Sequence, residues 1–84
     1  MKNLLILLLF ILTIYASEAQ VGIGVSAPHS SSALEISDTS KGLLVPRMTQ
    51  TQRTMIASPA DGLLVYQTDH IKGFWYYNTA TGEW

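Results

Sequence analysis

The sequence predicts a mainly β protein of short antiparallel strands and hairpins with one short helix. Apolar and polar residues alternate in brief runs, and clusters of Gly, Pro, Asn, Asp and Ser separate these runs. A single helix-capping pattern stands among them. With 84 residues and no cysteine, the chain has room for one small domain without disulfides.

The first nineteen residues have the pattern of a secretory signal peptide. Lys2 supplies a positive charge, and the apolar run Leu4–Leu12, which Thr13–Tyr15 extends, follows it. Ser17 and Ala19 then place small residues at the positions that a signal peptidase reads, so we expect cleavage between Ala19 and Gln20. A membrane anchor is the alternative, but spanning a bilayer requires about 20 apolar residues and this run has about 12.

Cleavage would divide the chain into a signal peptide, residues 1–19, and a small β-rich module, residues 20–84. The module would then be secreted or exposed at the cell surface, with no stable membrane span. Trp84 is an unusually bulky residue for a free terminus, because chain ends usually fray into water. We therefore expect this module to be the N-terminal part of a longer protein.

Two short strands are predicted at the start of the module. Apolar residues alternate with glycine and serine over Val21–Val25 until Pro28 ends the run, and alternation returns over Leu34–Ile36. Gly22 and Gly24 leave one side of the first strand almost bare. We expect these glycines to admit another backbone at close range.

The middle of the module combines a turn, a third strand and the helix. Asp38–Gly42 has turn-forming composition, and Leu43–Val45 is predicted to be a strand that Pro46 ends or confines to a sheet edge. Thr49–Gln52 matches a capping box and predicts a helix over Gln50–Ala57. Its buried face would consist of Met55 and Ile56.

The last third predicts a hairpin of two strands. Gly62–Thr68 is apolar on both faces at its start, which is typical of a central or interface strand. Asp69–Gly73 is a five-residue loop, and Phe74–Tyr77 is the aromatic return strand. Asn78–Gly82 forms the next turn, and Glu83–Trp84 begins another strand.

The composition excludes several classes of function. A net charge of −1 does not provide the basic face that phosphate contacts require, so we expect no nucleic-acid partner. His29 and His70 are the two imidazoles, and without cysteines or metal-ligand spacing they are expected to be exposed loop residues. Glu35 and Asp38 are interpreted as solvated charges. We expect no metal and no cofactor.

No residue is assigned to catalysis, and the chain is not expected to be an enzyme. Gly22–Ala27 matches the letters of a dinucleotide-binding loop, but Pro28 and His29 follow where a helix N-terminus is required. No nucleophile elbow is present in the sequence. An enzyme would need a catalytic domain beyond Trp84.

The mature segment carries too few apolar residues to form an independent core. A chain of this size buries only about 60% of the surface that its unfolded form exposes. Small secreted domains usually compensate with disulfides or metal, which this sequence does not offer. We therefore expect additional surface from other copies, as a homo-oligomer, or from further chain.

The aromatic strand supplies the candidate contact residues, Phe74, Trp75, Tyr76 and Tyr77. The favoured interpretation is a core and subunit interface, with Leu63 and Val65 sharing the buried contact. The alternative is a stacking platform for a surface glycan, because exposed aromatic rings stack on sugars.

A series of motifs resembles the N-terminal module of secreted, tail-fibre-like bacterial surface proteins, some of which carry a C-terminal endosialidase-type chaperone domain. The matching segments are Val21–Gly24, Pro28, Ser32–Ser37, Lys41–Thr49, Gln52–Arg53, Ile56–Leu63, Tyr76–Asn78 and Trp84. Val25 departs from the threonine of the pattern, and the glycine expected after Asn78 is displaced to Gly82.

The resemblance implies an exported, non-catalytic structural module of a cell-surface or fibre-like assembly, trimeric in fibre-type members. It brings no catalytic residues to this segment. A glycan- or surface-binding adhesion module that uses the strand Phe74–Tyr77 is the alternative function.

Overall fold

The computed structural model describes residues 2–14 and 19–84, in two compact units that divide between Lys41 and Gly42. The elements are α1 (Lys2–Ile14), β1 (Val21–Ile23), β2 (Leu34–Ile36), β3 (Arg47–Met48), α2 (Gln50–Thr54), β4 (Leu64–Gln67) and β5 (Gly73–Tyr76). Of the predicted cleavage motif, Ser17 and Glu18 lie outside the described residues. Among the described helices, none has the length and apolarity that crossing a membrane requires.

The first sheet consists of β1 and β2, and its strands run parallel. Val21 pairs with Leu34 and Ile23 with Ile36. The backbone N–H of Ser37 donates to the Ile23 carbonyl at 2.8 Å and extends this ladder. The expectation of antiparallel pairing was wrong here, because the connecting loop 24–33 returns the chain to the starting end of β1 instead of turning it back as a hairpin.

Two glycines set the geometry of this sheet, as predicted. Gly24 has φ +74°, and a Cβ at this position would overlap the Ser37 carbonyl oxygen. A Cβ on Gly22 would meet the Val25 carbonyl and the Pro28 ring. The backbone therefore closes over the bare face of β1, where a side chain would not fit.

The second sheet has the order β3-β4-β5. β3 and β4 are parallel and connected through α2, whereas β4 and β5 form an antiparallel hairpin. The hairpin was predicted, and β4, predicted to be a central or interface strand, is central in this sheet. Two of the three strand pairs in the described residues are nevertheless parallel, so the expectation of a mainly antiparallel fold was wrong.

The strand predicted at Leu43–Val45 does not form, and β3 begins only after Pro46. The Pro46 carbonyl accepts from the Tyr66 N–H at 2.9 Å, so the proline joins the ladder through the one backbone group that it can offer. Leu43 and Leu44 are left 61% and 73% exposed.

The helix α2 begins with the predicted capping box. The Gln52 N–H donates to the Thr49 hydroxyl, and the Thr49 N–H donates to the Gln52 side chain. The helix ends at Thr54 rather than Ala57, and Met55 is exposed rather than buried. A single turn presents only one long side chain to the sheet, and that side chain is Arg53.

Candidate interaction surface

The inner face of the second sheet lies under α2. Side chains alternate along a strand, so Val65 and Gln67 of β4 share this face with Trp75, which pairs with Val65. Val65 is 2% exposed and Gln67 is 1% exposed. Other residues of the same chain therefore cover this face of the sheet.

Arg53 closes the inner face from above. Its Nε donates to Gln67 Oε1 at 2.7 Å, and its guanidinium carbon lies 4.1 Å from the Trp75 ring centre and 5.3 Å from that of Trp84. Gln67 Nε2 in turn donates to the carbonyl of Ile71 at 3.1 Å. Arg53 is 4% exposed, and its guanidinium group contacts two aromatic rings and one side-chain amide.

The outer face of the same sheet has no such cover from the described residues of its own unit. It consists of Leu64, Tyr66, Phe74 and Tyr76, and this set is called the outer face below. Phe74 is 66% exposed, Tyr76 61% and Leu64 44%. The rings of Tyr66 and Phe74 pack edge to face with centres 5.4 Å apart. The outer face is thus a contiguous apolar patch open to solvent.

A groove of about 300 Å³ adjoins the outer face. It is lined by Leu43, Leu44, Val45, Arg47, Tyr66 and Phe74. The unpaired segment before β3 therefore forms one wall of the groove, and the aromatic pair forms the other. This extends the apolar surface beyond the sheet itself.

The structure divides the predicted aromatic platform between two faces. Phe74 and Tyr76 point outward, whereas Trp75 packs under Arg53 and Tyr77 packs against Trp84 with ring centres 5.5 Å apart. Four consecutive aromatic side chains on a strand cannot share one face, because successive residues alternate. The Phe74 ring is exposed in the single chain, so it is not part of that chain's core, and its predicted contact at a subunit interface stays a prediction.

Sequence reasoning missed Arg53, Gln67 and Tyr66. Gln67 was the one available signal, because it stands at an alternate position of an otherwise apolar strand and a buried amide requires a partner. Nothing in the local sequence identified Arg53 as that partner. The two residues are fourteen positions apart and meet only across the crossover.

The first sheet carries a second apolar stripe. Val21, Ile23 and Leu34 are 52–55% exposed and Ile36 is 37% exposed, all on one face of the parallel pair. The opposite face is closed by backbone and by Pro28. Each unit thus has one closed face and one open apolar face.

Outside the inner face, the histidines and two of the aspartates lie at exposed positions in loops and turns. His29 and His70 are exposed, as predicted, and no cluster of His, Asp and Glu suited to a metal occurs in residues 2–14 and 19–84. Backbone N–H groups of Ser40 and Lys41 bond to Asp38 and lower the pKa of its carboxyl. The backbone N–H of Thr79 lowers the pKa of Asp61 in the same way.

Comparison with known families places most of the chain in a described family. A family model described as "Phage tail like trimerisation region" matches residues 22–84, which include the outer face and, except for Val21, both sheets. Searches of curated proteins and of solved structures found no match.

Proposed function

The chain belongs to the phage tail-like trimerisation family, and from this we propose that residues 20–84 form a non-catalytic module that holds three copies of the chain together in an exported, fibre-like assembly. The observation that carries the proposal is the outer face. It is apolar, exposed and part of the matched region. Exposed apolar patches of this kind mark sites of protein contact.

The outer face meets the physical needs of a contact between copies. Its residues stand on the two longest strands of the described chain, and Arg53 connects both strands of that hairpin to α2 on the opposite face. Phe74 and Tyr76 offer large apolar rings whose burial contributes roughly 1.5–3 kcal/mol each. Three copies that turn this face toward a common axis would remove these rings from water.

The glycan-binding alternative uses the same two rings. Phe74 and Tyr76 are the aromatic residues of β5 that solvent reaches most freely. Rings that are buried between copies cannot stack on sugar at the same time. The two functions therefore exclude each other at this face, and the oligomeric state separates them.

Export is part of the proposal. Gln20, the first residue after the expected cut, is already anchored in the first unit, because its side-chain amide donates to the carbonyls of His29 at 3.0 Å and Ser32 at 2.9 Å. β1 begins at the next residue. Cleavage after Ala19 would leave the new terminus held by these bonds.

Sedimentation of the full chain, recovered from an export-competent host, tests the proposal. We expect the recovered particle to have three times the subunit mass, and the subunit mass to correspond to a chain that starts at Gln20. Phe74→Ser combined with Tyr76→Ser should raise the midpoint concentration of dissociation about tenfold or more.

Ile71→Ser is the matched control, because Ile71 is 72% exposed but lies in the β4–β5 loop, away from the outer face. Its trimer should dissociate at the wild-type concentration. A monomeric wild-type chain, or a double serine variant that sediments as the wild type does, would contradict the proposal. Saturable sugar binding by that monomer would favour the adhesion alternative.

A further inference from the structure

The strand β5 has an open hydrogen-bonding edge. The Tyr66 and Thr68 N–H groups point to β3, so the backbone groups of Val65 and Gln67 point to β5. Val65 and Gln67 pair with Trp75 and Gly73, so the backbone groups of Trp75 and Gly73 bond to β4. The N–H and C=O groups of the alternate residues, Phe74 and Tyr76, therefore face away from β4. Within the described part of the chain, no strand pairs with that side of β5.

This edge also lacks the usual protection against pairing. Gly73–Tyr76 contains no proline and no charged residue, and β5 is the longest edge strand among those described. A groove of about 250 Å³ runs beside it, between β5 and the turn that ends at Trp84. Phe74, Trp75 and Tyr76 all line this groove although their side chains alternate, so the groove follows the edge rather than a face.

The same unit contains a segment that lacks a strand partner. Gly42–Val45 has strand-like sequence but forms no strand, and its backbone takes part in none of the hydrogen bonds of the described residues. Its two leucines are the most exposed apolar side chains of the segment. The unit therefore contains an open edge and a free strand-like segment at the same time.

The segment cannot reach the open edge within its own chain. Pro46, the next residue, is bonded to β4 on the far side from β5. Adjacent strands lie about 4.8 Å apart, so the position beyond β5 is roughly 14 Å from β3. Four extended residues span about 14 Å at most, which leaves no length to run along the edge.

We propose that Gly42–Val45 of one copy adds as a fourth strand to the free edge of β5 in a neighbouring copy. This inference rests on the proposed trimer and names one of its contacts. The contact is heterologous, since an edge meets a segment, and such contacts close into rings when copies are related by rotation. In a ring of three, every edge and every segment has a partner.

Proline scanning tests the backbone pairing in the full chain. Leu43→Pro, Leu44→Pro and Val45→Pro each remove one N–H, and the alanine variant at each position removes the side chain alone. In an added strand alternate N–H groups point to β5. We therefore expect the proline variants of one parity, either Leu44 or both Leu43 and Val45, to raise the dissociation midpoint at least fivefold above their alanine counterparts.

The proline variants of the other parity should match their alanine counterparts. If each proline variant dissociates as its alanine counterpart does, strand addition is wrong while the trimer, reported by the outer-face serine variants, still stands. A wild-type chain that does not form trimers removes both proposals at once.

Disulfide capture gives a second measurement. The chain has no cysteine, so Leu44→Cys can be combined with Phe74→Cys or with Tyr76→Cys. Oxidation should link each copy to the next and give covalent trimers with at least one of these pairs. Leu44→Cys with Ile71→Cys is the control, because Ile71 lies outside β5. Oxidised monomers alone in both test pairs would overturn the inference.

Discussion

The two sheets are built on the same motif, a parallel strand pair, but different interactions hold them. In the first sheet close backbone packing dominates, because Gly22 and Gly24 let other backbone groups approach. The side-chain amide of Gln20 also donates to backbone carbonyls of the loop 24–33. In the second sheet side chains dominate, since Arg53 and Gln67 join helix to strand.

The difference shows how a chain with few apolar residues folds. Val65 is the one buried apolar side chain in residues 19–84. Where no core can form, close backbone packing and a buried polar pair supply the order instead. Both sheets leave an apolar face open, and this is the surface that other copies would cover.

Arg53→Met removes the side-chain contacts that hold the second sheet to α2, and it has the largest expected effect on stability. The variant leaves Gln67 Oε1 without its donor inside a buried face and removes the cation from the Trp75 ring. We expect a loss of about 3 kcal/mol in the free energy of unfolding. Urea titration followed by tryptophan fluorescence measures it, because both tryptophans lie beside Arg53.

Lys72→Met is the control for this variant, since Lys72 is an exposed basic residue in the hairpin loop. Its unfolding midpoint should stay near that of the wild type. An Arg53→Met chain as stable as Lys72→Met would mean that the inner face does not depend on the buried arginine.

Gly24→Ala disrupts the close backbone packing of the first sheet. The added Cβ overlaps the Ser37 carbonyl, and φ +74° is unfavourable for alanine. We expect a loss of about 2 kcal/mol. Amide hydrogen exchange should show faster exchange at Val21 and Ser37, whose N–H groups bond across the first sheet, and unchanged exchange at Tyr66.

Gly82→Ala separates the two causes. Gly82 has φ +67° but open space around its Cβ position, so its replacement costs only the backbone term, about 1 kcal/mol. Equal losses in the Gly24 and Gly82 variants would show that the contact with Ser37 does not matter.

Acid titration tests the smallest of these expected effects, the contribution of ionised Asp61 to the stability of the second unit. The Thr79 N–H lowers the pKa of Asp61 below its model-compound value of 3.8, so ionised Asp61 favours the folded state. This contribution is present above pH 3.8 and is lost as the pH falls through the lowered pKa. Asp61→Asn should flatten that part of the stability profile, measured by urea titration between pH 2 and pH 6. An unchanged acid slope would count against this role.

Local pattern was sufficient for the elements whose stabilising contacts are close in sequence. The capping box at Thr49 and Gln52 needs partners three residues apart, and the hairpin needs only a short loop between two strand-forming apolar runs. The close backbone approach at Gly22 and Gly24 was likewise predictable, because a strand face without side chains leaves space for another backbone segment. These features depend on side-chain period and short-range hydrogen bonds.

The sequence by itself determined where β1, β2, the start of α2 and the β4–β5 hairpin lie in residues 20–84, and it determined the low apolar content of that segment. Only the tertiary structure decided that β1 and β3 pair in parallel, that Arg53 rather than Met55 meets the sheet, and that Leu43–Val45 stays unpaired. Strand direction and helix orientation depend on groups that lie ten or more residues apart. A local period carries no information about such distant partners.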